Sequence, residues 1–431
     1  ARLFACAGGV HALSASHDTY SGVVLGSRDA RPVSIFERML VMVDADEDRF
    51  YAIDLFSVGG GEQHDLSWHA FDAPVTPPDL AWVAQEGGTL AGPDVERFSA
   101  YTDRWQRNYP HGHAPSFMTG VRRARLAGPA CWKWDDGKPG GDRLRLHIVP
   151  IGRPVEAIMA QGGTPARKDM EYLLVRKLNK KGALSRFLSV LDPSPGEPWV
   201  EGVRVIRAKP LTVEVRLAGQ VHEIALNPHE TPTASAAHRN AGVRVTVRKG
   251  GAISRDVRIG SVPGEDSPGW ITAAVKAVED AETGRPRLKV GFRGKSEPGA
   301  FGPGTWVRIF TDTRSFMFRV VERKDAGKAS AWLTLDKTML LTEAPLAEIK
   351  GGALVLDGHL LLHRDLTGAP ITVGDWSGTV SMAHEDGRIE IENPPEAIAG
   401  AKPGTMVKIW AFAAGARIEA PVISTGRGTA P

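Results

Sequence analysis

Cysteine is nearly missing from this 431-residue chain, with Cys6 and Cys131 the whole supply. Two thiols so far apart give neither a disulfide framework nor a zinc knuckle. A single bridge between them stays open, and the pair does not decide the redox compartment. Long apolar runs are missing too. None reaches the roughly 18 residues that a spanning helix needs, so no membrane span is expected. Net charge is slight, +3 from 53 basic and 50 acidic residues, which argues against nucleic acid or an anionic bilayer as partner. A modest basic excess from Arg204 to Arg258 fits charges on the solvated face of strands. There is no G-x-S-x-G elbow, no C-x-x-C pair, and no kinase or dinucleotide-binding fingerprint. Helical periodicity is almost wanting. Residues 271–279 read as one short helix, but their β-branched members equally allow a strand.

What remains is β-structure. Gly 48 and Pro 30 punctuate the chain into short segments. Residues 33–43 are apolar on both alternating faces, which suits a strand buried between layers. Further strands are expected at 144–149, 172–176, 187–191, 202–206, 212–217 and 222–226. The Glu385-Asp386-Gly387-Arg388 segment carries the Asp-Gly pair of a tight hairpin turn. Linker composition at 231–239 marks a boundary near residue 235, and Lys350-Gly351-Gly352 marks a second. No internal repeat stands out. The expected architecture is an all-β layered antiparallel sandwich (a super-sandwich) over 1–235, followed by small β domains over 236–350 and 351–431. Starting on Ala1-Arg2-Leu3-Phe4, without an initiator Met or signal peptide, the chain reads as a piece of a longer protein.

The richest stretch is Arg49 to His69, which reads as strand, glycine turn, strand: a hairpin around Gly59-Gly60-Gly61. In an extended second arm, His64, Leu66 and Trp68 share one face and Asp65, Ser67 and His69 the other. Asp65 and His69 then lie about 13 Å apart, too far for a direct hydrogen bond. The two histidines sit on opposite faces and cannot share a metal without a bulge. His64 is expected inside, bonded to a backbone carbonyl near the glycine turn. His69 is either a surface residue or part of a polar groove that binds or shuttles protons. Asp65 fits a local turn bond or a groove contact.

Other constellations are thinner. His111-Gly112-His113 can chelate a metal but lacks a third ligand nearby. His359 and His363 read as strand or edge residues. Trp132 and Trp134 share a face, either as core or as a platform for sugar rings. The second reading makes the chain a non-catalytic carbohydrate-binding or structural β protein of the cell surface.

The run Phe50-Tyr51-Ala52-Ile53-Asp54-Leu55-Phe56-Ser57-Val58-Gly59-Gly60-Gly61-Glu62-Gln63-His64-Asp65-Leu66-Ser67-Trp68-His69 resembles a signature of heparinase II/III-like polysaccharide lyases. Phe36–Asp44 resembles the strand before that signature, and Tyr172–Arg176 and Phe187–Pro193 resemble later strands. The likeness covers roughly residues 1–230. Ser57 and Ala70 depart from it, standing where Arg and Gly are frequent. The resemblance implies a secreted or periplasmic enzyme that cleaves uronic-acid polysaccharide by β-elimination. There a base takes the C5 proton, an acid protonates the leaving oxygen, and the carboxylate is neutralised. It also implies an N-terminal α/α toroid carrying the catalytic Tyr and His, and a structural zinc, all ahead of the matched segment. No position here matches them, so no catalytic residue, cofactor or metal ligand is expected in this chain. Its expected partners are an acidic polysaccharide and the toroid of the same protein. His69, Asp65, His64, Tyr51 and Trp68 are the expected substrate-side residues.

Overall fold

A computed structural model describes residues 2–7, 10–16, 35–70, 73–103, 106, 108–110, 114–135, 137–138, 143–163, 170–180, 182–228, 242–261, 270–292, 301–311, 315–358, 360, 366–392, 398 and 401–427. Among the described residues the only helix is one 3-10 turn, Ala114–Phe117. The chain is all-β, and the ambiguous stretch at 271–279 is a strand, Trp270–Glu279. Two compact units divide it. One holds Cys6–Gly269 and Ile423–Pro431, the other Trp270–Val422.

The first unit contains the sandwich. Ile35–Asp44, Phe50–Gly59, Leu184–Asp192 and Arg143–Val149 are successive neighbours in an eight-stranded antiparallel sheet. A five-stranded sheet runs Gln63–His69, Met170–Leu178, Val155–Gly162, Met118–Leu126, Val83–Ala84. Phe56, Trp132, Leu146 and Phe187 from the first pack with Leu66, Met159, Leu173 and Val175 from the second. The strand Phe50–Gly59 is buried without a break from Ile53 to Gly59. Tyr51, Ile53 and Leu55 occupy its face away from that core. There the Tyr51 hydroxyl meets His222 of a six-stranded sheet. That sheet runs Val200–Ala208, Leu211–Leu217, Gln220–Asn227, Gly242–Lys249, Ala252–Gly260, Ile423–Arg427.

The stretch from Arg49 to His69 is not a hairpin. Phe50–Gly59 pairs with Ile35–Asp44 and Leu184–Asp192, whereas Gln63–His69 pairs, among the described residues, only with Met170–Leu178 in the other sheet. The glycines therefore form an arch that carries the chain across the sandwich. Gly60 and Gly61 adopt φ of 97° and 73°, where a side chain would be strained. Strand, glycines, strand is the same pattern for hairpin and arch. What separates them is where the arms find their partners, Ile35–Asp44 and Leu184–Asp192 for the first and Met170–Leu178 for the second.

The boundary read near residue 235 falls between Gln220–Asn227 and Gly242–Lys249, which are paired neighbours in one sheet. The linker-like residues 231–239 themselves lie outside the described residues. The compact units divide at 269/270 instead. The boundary read near 350 falls at the turn joining two paired strands, Leu340–Lys350 and Ala353–Leu356. Glycine-rich turns and linkers share a composition, so composition alone does not part them.

The second unit holds two closed six-stranded barrels. The first closes in the order Trp270–Glu279, Arg287–Phe292, Ser330–Leu335, Ser315–Asp325, Trp306–Phe310, Arg417–Pro421. The second closes as Leu340–Lys350, Ala353–Leu356, Arg388–Ile391, Trp376–Ala383, Pro370–Val373, Met406–Trp410. Numbered by chain position within each barrel, both read 1-2-5-4-3-6. The second barrel is inserted between the fifth and sixth strands of the first. The chain thus does contain a repeat. Its sequence trace is Pro303-Gly304-Thr305-Trp306-Val307-Arg308-Ile309-Phe310 against Pro403-Gly404-Thr405-Met406-Val407-Lys408-Ile409-Trp410. Gly304 and Gly404 take φ of 84° and 88°, and Val307, Ile309, Val407 and Ile409 are fully buried. The copies fall on a third and a sixth strand. These places are equivalent, because advancing every strand by three leaves the closed order unchanged. The expected Asp386-Gly387 hairpin turn is present, with Arg388 N–H bonded to the Asp386 carboxylate at 3.1 Å.

Tyr51 and His222 lie wholly inside, their rings 5.6 Å apart. The Tyr51 hydroxyl is 2.9 Å from His222 Nδ1, and His222 Nε2 is 3.1 Å from Gln220 Oε1. An amide oxygen only accepts, so Nε2 carries the proton and Nδ1 receives the Tyr51 hydroxyl. Burial, with Arg255 and Lys249 adding to it, takes His222 down to about 4. Between pH 6.5 and 4 the unfolded chain binds a proton at this residue and the folded chain does not. Stability therefore falls as pH drops through that window, by roughly 3 kcal/mol at full extent. His147, also lowered by burial, acts in the same direction. The urea midpoint should fall steadily from pH 6.5 to pH 4, and His222→Gln should flatten that slope while lowering the midpoint at pH 7.

Candidate functional site: a basic groove at one end of the sandwich

Of the five expected substrate-side residues, Tyr51 is fully enclosed and its hydroxyl is taken by His222. It offers nothing to a sugar. Strand parity holds for the other four. His64 and Leu66 are buried and Trp68 is half-buried, while Asp65, Ser67 and His69 are exposed.

Asp65 makes no local turn. Arg176 grips its carboxylate with two bonds of 2.9 and 2.8 Å. Asp65, Arg176, Glu156 and Arg125 stand opposite one another across four strands, a row of alternating charge on the outer face of the five-stranded sheet. Such cross-strand pairs contribute roughly 0.2–1 kcal/mol each. Asp65 is thus a lattice member of that face.

His64 is held by both ring nitrogens. Nε2 donates to the Gly60 carbonyl, as expected of a residue beside the glycine turn, and Nδ1 lies 2.8 Å from Ser185 Oγ. The Asn179 amide donates to the same Ser185 oxygen. The chain of protons then runs Asn179 to Ser185, Ser185 to His64, His64 to Gly60, and each donor finds an acceptor. Ser185, at 1% exposure, is closed to any ligand. The serine–histidine pair therefore serves as a clasp on the arch, not as a nucleophile. Ser185→Ala should strip the clasp of its centre and cost about 1–3 kcal/mol in guanidinium unfolding at pH 7.

Trp68 and His69 lie at the far end of their strand. With Trp134 and Arg143 they line a cavity of about 170 Å³. The Arg38 guanidinium sits 5.3 Å from the Trp68 ring centre and is bonded twice to the buried Asp54. Burial pushes the Asp54 carboxyl up, and Arg38 offsets only part of that. The His69 ring is 4.7 Å from that of Tyr172. Trp132 and Trp134 are 0% and 5% exposed and belong to the core, so the platform reading fails for both. Cys131 is a free thiol. His111, His113, His359 and His363 lie outside the described residues. No cluster of three metal-ligating side chains occurs among the described residues.

A larger hollow, about 580 Å³, opens where Met170–Leu178 ends and Val155–Gly162 and Leu184–Asp192 begin. Its charged lining is Arg153, Glu156, Arg176, Lys177, Arg186 and Lys209. Glu156 is engaged by Arg123 at 3.1 Å, and Arg176 by Asp65. Arg153, Lys177 and Lys209 have no carboxylate partner among the described residues. Lys177 stands opposite His64 on the inward-facing parity of its strand, in line with buried Leu173 and Val175. Its Nζ donates to the Arg186 carbonyl and lies 5.2 Å from the Phe187 ring centre. Burial first, and then Arg153 and Arg186, take the Lys177 ammonium down to about 8. The groove thus concentrates positive charge where water is partly excluded, which favours an incoming anion.

Two of the five expected residues adjoin this groove from behind, Asp65 through Arg176 and His64 through Asn179. Trp68, His69 and Tyr51 do not. Lys177 escaped the sequence reading, although a lysine two residues beyond Val175 and four beyond Leu173, on the inward parity, was the available signal. Within the basic segment from Arg204 to Arg258, Arg204 pairs across strands with Glu214, Arg244 with Asp256 and Arg248 with Glu223, while Arg216 binds Glu214 within its own strand. No protein-family model matches the chain, and no curated protein matches it.

Proposed function

We propose that this chain is the β-sandwich part of a secreted or periplasmic polysaccharide lyase, where it recognises an acidic, uronic-acid-containing polysaccharide. The basic groove carries this reading. Arg153, Lys177 and Lys209 suit carboxylates borne on a neutral sugar frame, and the lining contains no aromatic ring on which a base would stack. The likeness of Phe50–His69 to the lyase signature supports the same substrate class. Proton abstraction at C5 and protonation of the leaving oxygen belong to groups outside this chain, and the groove supplies charge neutralisation and orientation. The trio Asn179, Ser185 and His64 fixes the arch beside it.

Titrating the purified chain with polygalacturonate, alginate and heparin by calorimetry tests this. Binding should weaken steeply with salt. An anion favours the Lys177 ammonium, so affinity should hold below pH 8 and decline above it, by at most about tenfold per unit. Lys177→Met should lower the affinity and abolish that decline. The chain alone should generate no unsaturated product absorbing near 232 nm; product from it would place the catalytic groups inside the chain. Absence of binding to all three polymers at low salt would overturn the substrate class.

A further inference from the structure

A second hollow of about 600 Å³ lies on the other side of the segment Arg153-Pro154-Val155-Glu156. Both hollows use these four residues as a wall. Arg123 and Arg125 of the Met118–Leu126 strand line the second, with Ala81 and Val83 as its apolar floor. Arg123 is held by Glu156 at 3.1 Å. Arg125 is exposed and stands opposite Glu156 in the strand register.

We propose that the two hollows form one trough for a linear polyanionic carbohydrate, with acid groups on successive sugars contacting Lys177 and Arg186 on one side of Arg153 and Arg125 on the other. This rests on the acidic-polysaccharide reading and extends it from a single anion to a chain of several units. Across both hollows the lining carries seven cations, Arg123, Arg125, Arg153, Arg176, Lys177, Arg186 and Lys209, of which Arg176 is held by Asp65 and Arg123 by Glu156, the one carboxylate of the lining. A site for one small anion would converge its donors on a point. Here the cations are strung along two cavities that share a wall, the arrangement a repeating charge matches. Neither hollow is lined by an aromatic side chain, so single-stranded nucleic acid would forfeit its stacking energy. Carboxylate and sulfate ester offer the trough the same oxyanion chemistry.

Calorimetry with oligogalacturonates of two to eight units and with sulfated oligosaccharides of matching length tests the trough, with oligothymidylate as the competing polyanion. Affinity should rise with length beyond what the first hollow accommodates and then level off. Arg125→Ala should weaken the long oligomers about two- to fivefold and leave the shortest unchanged, while Arg153→Ala should weaken all lengths. Both side chains are exposed, and unchanged melting temperatures would exclude misfolding. Carboxylated and sulfated series responding alike would mark the shared oxyanion, and one responding alone would name the source. Equal affinity at every length, or indifference of long oligomers to Arg125→Ala, would overturn the trough while leaving the acidic-polysaccharide reading in place. Tighter binding of oligothymidylate would overturn the carbohydrate assignment. Failure of every length to bind would remove both proposals.

Discussion

A strand buried on both faces makes each of its polar groups costly unless something answers it, and Phe50–Gly59 imposes that condition on its surroundings. Asp54 is answered by the two-pronged guanidinium of Arg38, and Tyr51 by His222 across the layer. At its end the glycine arch exposes the Gly60 carbonyl, which His64 takes up. Each answer brings in another element: the neighbouring strand, the third sheet, the opposite sheet. Register across the larger unit is therefore tied to one segment, because a slip of one residue would turn Tyr51 and Asp54 to the wrong faces.

The same condition separates what the sequence discloses from what it conceals. Alternation in Gln63–His69 is a local property, and the split between His64 and His69 follows from it directly. The destination of that strand is not local. A glycine turn permits a hairpin or an arch, and only the partners of Phe50–Gly59, lying more than a hundred residues onward in Leu184–Asp192, decide for the arch. Trp132 and Trp134 show a similar limit, since two indoles on one face suit a platform or a core until the opposing sheet is known. The barrel repeat was hidden for another reason. Closed sheets need alternation and turns more than particular residues, so two barrels of one topology can share little sequence beyond a Pro-Gly-Thr turn and the strand after it. Lys177 was overlooked because a lysine at a strand end reads as a solvated charge, and its partial burial comes from Phe187 and the neighbouring strands.

The groove owes its polarity to pairing elsewhere. Asp65 and Arg123 lie outside the first hollow, yet they hold Arg176 and Glu156 and so decide which charges face inward unspent. Charge on the outer face of the five-stranded sheet is largely cancelled within its own ladder. What is left uncancelled collects at the strand ends, where backbone geometry no longer supplies an opposing residue. A sandwich end is thus a natural place for an anion site, and this one needs no special loop to create it.

The nesting of the two barrels has a consequence for how the chain can be assembled. The first barrel lacks its closing strand until Arg417–Pro421 exists, and by then the whole second barrel has been made. The third sheet waits longer still, since the open side of Ala252–Gly260 is paired only by Ile423–Arg427. During synthesis from the N-terminus, that side remains a bare row of amides and carbonyls able to capture another chain. The Ile423–Arg427 strand is in effect a latch, and a product truncated before Ile423 would leave the ribosome with its sandwich layers in place and one sticky edge.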